Sequence, residues 1–230
     1  MRCTPIGPPT IIVTGLEIEA RIARRSGLPV VVVAGTPDRR ASLIARTIAS
    51  GASGLISFGI AGGLDPSLVP GTMLLPEAVY TDRGETFRAD AHWRQRLLAH
   101  IPGAVSGTIY GGAGVVARAA DKRTLYGSTR ATAIDLESGP VARAATAGGI
   151  PFVVVRSIAD PAHRDLPRAA VLGLDDEGKV AYGAVLGQAM RNLHQFPALL
   201  STAVETRRAL AAMHAIAMPS PGFHAVPAQA

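Results

Sequence analysis

Three carboxylates lie at or near the carboxyl ends of predicted strands, where they could carry acid–base chemistry. Glu19 follows the first predicted strand, Glu137 ends a later one, and Asp160 lies just beyond the last strong one. In an open α/β sheet, the carboxyl ends of the strands converge on one crevice. Each carboxylate by itself is more typical of a helix start, where it accepts hydrogen bonds from free backbone NH groups. Taken together with the glycine-rich segment 59–63, the three predict a pocket for a sugar.

The segments that must position these carboxylates alternate between strands and helices. Short apolar and β-branched runs predict strands over residues 10–14, 30–34, 55–58, 72–75, 104–110, 132–136 and 152–158. Helical spacing and helix-start signals predict helices over residues 17–25, 37–50, 92–100, 138–147, 180–192 and 197–217. Glycines predict a turn over 59–63, and a polar stretch predicts a loop over 82–90. This alternation indicates an α/β sandwich that binds ligands at its strand ends.

The composition indicates one packed globular domain. Hydrophobic residues make up 48% of the 230 residues and charged residues 17%, which is unlike a disordered chain. Aromatic residues account for only 4%, so Val, Ile, Leu and Ala must fill the core, as in a buried parallel sheet. We assign residues 10–217 to this domain, with an extension over 1–9 and a flexible tail over 218–230.

Charge and cysteine content narrow the class of protein. The net charge of +6 would suit an anionic partner, but the arginines are scattered over predicted helices, so we expect no nucleic-acid site. Cys3 is the only cysteine and the six histidines show no metal-binding spacing, so we expect neither a disulfide framework nor a metal. No apolar run reaches the roughly 18 residues of a spanning helix. The amino-terminal residues lack a signal-peptide core, which favours the cytoplasm.

A competing motif lies in the middle of the chain. Gly112 and Gly114 begin the pattern G-x-G-x-x-A after a predicted strand, and Asp135 follows at a distance suited to a ribose contact. This pattern is typical of dinucleotide-binding folds, so an NAD-dependent oxidoreductase is an alternative from another class. A G-x-S-x-G nucleophile elbow is absent from the sequence, which argues against acyl transfer.

Three blocks of the sequence resemble the purine nucleoside phosphorylase and nucleosidase superfamily, in the branch that contains methylthioadenosine/S-adenosylhomocysteine nucleosidase. The blocks are GLEIEA, SFGIAGGLDPSLVPGTMLLP and AIDLESGPVARAATAGGIPFVVVRSIAD. The resemblance implies a single-domain three-layer sandwich with a central mixed sheet. It also implies an enzyme that cleaves the N-glycosidic bond of a purine nucleoside, transferring the sugar to water or phosphate.

The resemblance further implies a role for each matching residue. Glu19 falls at the water-activating glutamate, Glu137 at the glutamate that binds the ribose hydroxyls, and Asp160 at the aspartate that protonates the base. The other implied substrate-binding positions are Leu136, Ile60, Ala61, Gly62, Val115 and Val116. No cofactor is implied, although phosphate stays open as a co-substrate, because Glu19 favours water while the family's phosphorylases bind phosphate.

A closer resemblance is to the hopanoid-associated phosphorylases, which are linked to removal of adenine from adenosylhopane. It rests on the opening GLEIEARIA and the segment LPRAAVLGLDDEGKVAYGAVLGQAMRNLHQFPALL, and departures from the methylthioadenosine enzyme at Ile60, Val115 and Ala159 agree with it. A soluble 5′-thioadenosine substrate is the alternative within the same chemistry, and a nucleoside-binding protein without turnover is another.

A lipid-linked nucleoside would need an apolar exit and would bring the protein to a membrane surface. We hypothesise that carboxyl-terminal helices border this exit through Leu186, Met190, Leu193, Phe196, Leu199 and Leu200. Such a stripe equally suits packing against the sheet or a dimer partner. Relatives assemble as dimers or rings of dimers, so the resemblance also implies a homo-oligomer.

Overall fold

The computed structural model of the protein describes residues 8–167, 196–217 and 221–224. The strands are β1 (Thr10–Thr14), β2 (Val30–Val32), β3 (Gly54–Gly63), β4 (Met73–Leu74), β5 (Ala78–Thr81), β6 (Thr86–Arg88), β7 (Thr108–Gly111), β8 (Ala133–Asp135) and β9 (Phe152–Asp160). The helices are α1 (Glu17–Ala23), α2 (Pro37–Ala49), α3 (Ala91–His100), α4 (Ala119–Thr129), α5 (Ser138–Ala147), α6 (Phe196–Ile216) and α7 (Pro221–His224). A 3₁₀ turn, Arg24–Ser26, follows α1.

All nine strands form one mixed sheet with helices on both faces, as the sequence predicts. The main path through the sheet runs β2-β1-β3-β8-β7-β5-β6, while β9 pairs with β3 and with β4. Neighbouring residues of β1 enter opposite layers of the core, since Val13 joins one apolar cluster and Ile12 the other. Strand side chains alternate between the two faces, so each face of the sheet is covered by its own helices.

Strand β3 pairs with two different partners along one edge. Parallel β1 pairs with its first part, ending at Ser57, and antiparallel β8 pairs only with Gly62 and Gly63. Its other edge is covered by β9 over nearly its whole length. In the described part of the chain, no strand fills the first edge between Ser57 and Gly62. The sheet therefore opens at residues 58–61 of β3, where side chains can reach the backbone.

The predicted turn over 59–63 is wrong, because these residues continue β3. Glycine-rich segments commonly form turns, but here β9 pairs with residues 59–62 and β8 pairs with Gly62 and Gly63. Glycine is needed at position 59 for lack of space: a Cβ there would overlap a nitrogen of Arg156 and lie 2.7 Å from Oε1 of Glu19. Close approach of two side chains, rather than a change of chain direction, explains the glycine.

Two other elements differ from the sequence prediction. The polar stretch 82–90 contains β6, which forms an antiparallel hairpin with β5. The residues of α4 show no clear apolar periodicity, so the sequence does not predict this helix. Its one fully buried side chain is that of Lys122. Neither element has a regular apolar pattern, because Phe87 is the one apolar side chain of β6 and the Leu125 and Tyr126 side chains of α4 are only partly buried.

The carboxyl-terminal region is partly described. Helix α6 confirms the helix predicted over 197–217, whereas the helix predicted over 180–192 lies outside the described residues. Within the predicted tail, α7 is packed rather than frayed: Phe223 is buried and its ring meets Phe58 edge to face at 6.3 Å. The indole NH of Trp93 donates to the carbonyl of Gly222 at 3.2 Å. None of the described helices is long and apolar enough to cross a membrane.

We expect Phe223→Ala to lower the free energy of unfolding by about 3 to 4 kcal/mol, because it empties a buried aromatic site. Chemical denaturation of the full chain measures this change. Leu200→Ala is the matched control, since Leu200 on α6 is 68% exposed and its truncation should cost under about 0.5 kcal/mol. An equal, small effect of both substitutions would show that residues 221–224 are not part of the core.

Candidate active site

Glu19 fills the opening in the sheet. It lies in the first turn of α1, directly after β1, and its carboxylate accepts three backbone hydrogen bonds. Oε2 accepts from Gly15 at 3.1 Å and Leu16 at 2.9 Å, and Oε1 accepts from Ile60 at 2.8 Å. The side chain is nearly fully buried, and this burial raises its pKa to about 7 against the opposing effect of Arg156. Glu19 can therefore gain or lose a proton near neutral pH.

Arg156 lies at the centre of the site. It is fully buried in β9, pairs with Asp135, and donates to Oγ of Ser57 at 2.7 Å. The same terminal nitrogen lies 3.6 Å from the Glu137 carboxylate. Among the described residues, its Nε and Nη1 have no hydrogen-bond partner. Because Nη1 and Oε1 of Glu19 both approach the space above Gly59, a donor and an acceptor face one small region.

Glu137 lies between two arginines at the start of α5. Its Oε1 lies 3.7 Å from Nη1 of Arg40, and its Oε2 is the oxygen near Arg156. Both separations exceed a hydrogen bond, so the oxygens keep the capacity to accept from another donor. A Cβ on Gly15 would lie only 2.5 Å from Oε1, so a glycine is required beside this carboxylate. Burial raises the pKa of Glu137.

Asp160 ends β9 and pairs with a buried lysine. Its Oδ2 lies 2.5 Å from Nζ of Lys122, while its Oδ1 is buried without a hydrogen-bond partner among the described residues. Burial raises the pKa of Asp160 to about 6, and the Lys122 ammonium opposes that rise. The carboxyl group is therefore able to hold a proton in slightly acidic solution.

A cleft of about 380 Å³ is lined by residues of α4, β7 and β8, while Glu19, Glu137 and Asp160 are not part of its lining. Its lining includes Tyr110, Gly112, Val116 and Ile134. Ile134 links the cleft to the carboxylate, because its side chain and Oδ2 of Asp160 lie 3.3 and 3.5 Å from where a Cβ on Gly62 would be. The cleft thus has both apolar side chains and the acidic Asp82 and Asp121 in its lining, and Asp160 lies beyond Ile134.

The structure places the remaining predicted residues as follows. Ile60, Ala61 and Gly62 lie on β3 between Glu19 and Asp160, and the Leu136 carbonyl accepts from Nη1 of Arg40 at 3.4 Å. Val116 lines the cleft, whereas Val115 is 48% exposed. The two valines are therefore not equivalent, and of the two only Val116 lines the cleft.

The sequence model of one family matches residues 21–204, which is most of the chain. The chain belongs to the Phosphorylase superfamily. The prediction that it is an enzyme of the nucleoside phosphorylase and nucleosidase group is confirmed by this membership. No curated protein matches the chain in sequence.

Solved structures of the same fold include several nucleosidases. The 5′-methylthioadenosine/S-adenosylhomocysteine nucleosidase of Neisseria meningitidis, solved with methylthio-immucillin-A, is 16% identical with a TM-score of 0.62, covering 91% of this chain and 99% of that one. The corresponding Helicobacter pylori enzyme with butyl-thio-DADMe-Immucillin-A is 14% identical with a TM-score of 0.64, covering 92% of this chain and 98% of that one. A futalosine hydrolase mutant from Helicobacter pylori strain 26695 is 15% identical with a TM-score of 0.58, covering 68% of this chain and 91% of that one. At these identities the likeness shows a shared fold.

The dinucleotide-binding alternative does not agree with this superfamily or with the local geometry. Residues 112–118 are not helical, and α4 begins only at Ala119, so Gly114 does not lie at a helix N-terminus that could hold a pyrophosphate. Asp135, the supposed ribose contact, instead pairs with Arg156 and accepts from Oγ of Ser138 at 2.5 Å. Among the described residues, no group of three acidic, histidine or cysteine side chains could hold a metal ion.

Sequence reasoning missed the three buried cations of this superfamily member, although each left a signal. Arg156 interrupts the apolar run FVVVRSIAD, where a charged side chain requires a partner. Arg40 lies one turn before Ile44 on the buried face of α2. Lys122 is one of only two lysines among 23 basic residues. The identities of their partners depend on tertiary packing.

We expect the free energy of unfolding to fall as the pH rises from about 4.5 to 7, because folded Glu19 keeps a proton that the unfolded chain has released. The contribution of Glu19 approaches about 3 kcal/mol. In Glu19→Gln the slope should be smaller, though not abolished, because Asp160 also retains its proton to about pH 6. Denaturation at a series of pH values measures this slope.

Glu85→Gln is the control for this prediction. Its hydrogen bond with Arg143 lowers the pKa of Glu85 to about 2, so the stabilising pair is fully formed from pH 5 upward and is lost only in acid. Glu85→Gln should therefore keep the wild-type slope between pH 5 and 8. Equal slopes in Glu19→Gln and wild type would contradict the assigned protonation.

Proposed function

We propose that the protein hydrolyses the N-glycosidic bond of an adenine nucleoside. The observation that most supports this proposal is the spacing of two carboxylates along β3. Glu19 accepts a hydrogen bond from the Ile60 amide, and Asp160 lies beside Gly62. Two residues of a strand span about 7 Å, which suits a ribose placed between a group at its C1′ face and a group at the base. The related structures, whose names describe them as nucleosidases and a futalosine hydrolase, support this reaction class.

Each carboxylate has a task as the bond breaks. Positive charge develops on the sugar and negative charge on the base, as in other glycosidic cleavages. Glu137 accepts hydrogen bonds from the ribose hydroxyls, and this interaction strengthens as the sugar becomes cationic. Asp160 gives its proton to purine N7, so that adenine leaves as a neutral molecule. The proton is available because burial keeps Asp160 partly protonated.

The attacking group in this proposal is water. Nη1 of Arg156, which has no partner among the described residues, can donate to a water oxygen, while the nearby Oε1 of Glu19 accepts its proton. A phosphate dianion would be less favourable, because the acidic side chains of Glu19, Asp135 and Glu137 already outnumber the guanidinium groups of Arg156 and Arg40. Like charges in a buried site cost free energy that a neutral water avoids.

For the 5′ group of the nucleoside, we propose an apolar lipid chain such as that of adenosylhopane. Support comes from the sequence resemblance and from Leu200 and Val204, which lie one turn apart on α6 and are 68% and 44% exposed. Leu199 is half-buried; Leu186, Met190 and Leu193 lie outside the described residues, as does the side chain of Phe196. A soluble 5′-thioadenosine is the second candidate, favoured by the names of the related structures. Homo-oligomerisation and membrane contact stay predictions.

We expect the purified protein to release free adenine from at least one of adenosine, methylthioadenosine and adenosylhopane without added phosphate. Asp160→Asn should lower kcat by about 10² to 10⁴, because the leaving base is no longer protonated. Chromatographic detection of adenine, with and without phosphate, measures both effects. The matched control is Glu77→Gln, an exposed glutamate paired with Arg94, which should leave the rate unchanged.

Each arm of this assay decides one part of the proposal. No adenine from any substrate would exclude nucleoside cleavage on these compounds, and strict phosphate dependence would replace water by phosphate as the nucleophile. A kcat/KM that is higher for methylthioadenosine than for adenosylhopane would reject the lipid substrate.

We also expect a bell-shaped dependence of kcat/KM on pH, with its maximum between pH 6 and 7. Glu19 must be ionised to accept a proton, so the rate falls as the pH drops below about 7. Asp160 must be protonated, so the rate falls as the pH rises above about 6. Asp160→Asn should lose the alkaline limb while keeping the acidic one. A wild-type rate that is constant from pH 5 to 8 would rule out this pair of roles.

A further inference from the structure

Lys122 has all of its hydrogen-bonding capacity used inside the protein. Its side chain is fully buried in the first turns of α4. Nζ lies 2.5 Å from Oδ2 of Asp160, 3.1 Å from the carbonyl of Pro161 and 2.8 Å from the carbonyl of Arg164. An ammonium group has three donors, so these three acceptors saturate it. The pocket is therefore built for a charged lysine rather than merely tolerant of one.

The contact also makes the two oxygens of Asp160 different. Oδ2 is held by Lys122, whereas Oδ1 is buried and without a partner among the described residues. A proton on Oδ2 would compete with the ammonium for that oxygen. Oδ1 is consequently the oxygen that is left to carry a proton.

Two other charged groups face Asp160. Arg164 follows β9 in the loop, and Glu205 lies on α6; they pair with each other at 2.8 Å. Both act on Asp160 electrostatically, with opposite signs and less strongly than Lys122. Because this pair largely neutralises itself, Lys122 is the group that controls the charge of the aspartate.

We propose that Lys122 is a positioning residue for the base-protonating step, holding Asp160 by Oδ2 so that the proton leaves from Oδ1. This inference rests on the proposed function. In the step, the Oδ1–H bond breaks, an N7–H bond forms, and the electron pair of the C1′–N9 bond passes to the purine. Water adds to C1′ and gives its proton to Glu19. The new Asp160 carboxylate is then stabilised by the ammonium already beside it.

The experiment compares Lys122→Met, Asp160→Asn and the double variant in the full chain. In Lys122→Met the carboxylate loses its support and its counter-charge, so kcat should fall about tenfold or more. The alkaline limb of the pH profile should move upward by about one pH unit or more, since an unassisted buried carboxyl holds its proton longer. In the Asp160→Asn background, the same lysine substitution should change kcat less than twofold, because Lys122 acts through Asp160.

Arg118→Met is the matched control on the same helix. Arg118 is 72% exposed and pairs with Asp121, so its loss should change neither kcat nor the alkaline limb. A purely structural role for Lys122 would give a different result: an unmoved alkaline limb, and equal losses of kcat in the wild-type and Asp160→Asn backgrounds. That outcome would overturn the proposal.

A readout without turnover keeps this inference separate from the proposed function. In protein labelled with ¹³C-aspartate, carboxyl NMR follows the Asp160 titration, identified by its absence in Asp160→Asn. The Asp160 signal should titrate at higher pH in Lys122→Met than in wild type. An unchanged titration overturns the role of Lys122 even if adenine is released. Conversely, a wild type that releases no adenine refutes the proposed reaction, while the NMR shift still tests the Lys122–Asp160 contact.

Discussion

The buried charge of Arg156 must be balanced within the protein, and the arrangement of the site follows from this. An isolated cation in the interior would cost several kcal/mol of folding free energy. Asp135 compensates it directly, while Glu137 and Glu19 lie close enough to act on it electrostatically. These carboxylates come from the end of β8, the start of α5 and α1. One guanidinium on β9 thereby fixes the relative positions of three elements.

The cations near these carboxylates do not neutralise them completely. Burial raises the pKa of Glu19 and of Glu137, and neither Arg156 nor, at Glu137, the additional Arg40 reverses this effect. A carboxyl group with a pKa near 7 lowers the stability of the folded state at neutral pH, but it can exchange a proton there. The same Glu19 carboxylate fills the opening in the edge of β3, because it accepts the hydrogen bond of the Ile60 amide in place of a neighbouring strand.

The carboxylates at the two ends of the site are paired with different cations, Arg156 at one end and Lys122 at the other. Arg156 contacts several groups at once, which the planar, many-donor guanidinium allows. Lys122 meets three acceptors in a closed pocket, which suits a compact ammonium. Both cations act on β9, four residues apart at Arg156 and Asp160. The strand therefore carries the central cation of one end of the site and the carboxylate of the other end on one element.

The sequence by itself determined the α/β class, most strands and helices, and three carboxylates near strand ends, of which Glu19 and Glu137 lie together around Arg156 while Asp160 pairs with Lys122. These follow from local patterns, since apolar periodicity and strand ends are properties of neighbouring residues. Only the tertiary structure decided that 59–63 is a strand, that Val116 rather than Val115 lines the cleft, and that Asp135 serves Arg156. The partners of Arg40, Arg156 and Lys122 also come from distant parts of the chain. Local patterns can show that a buried charge needs a partner, but only packing selects which carboxylate or carbonyl supplies it.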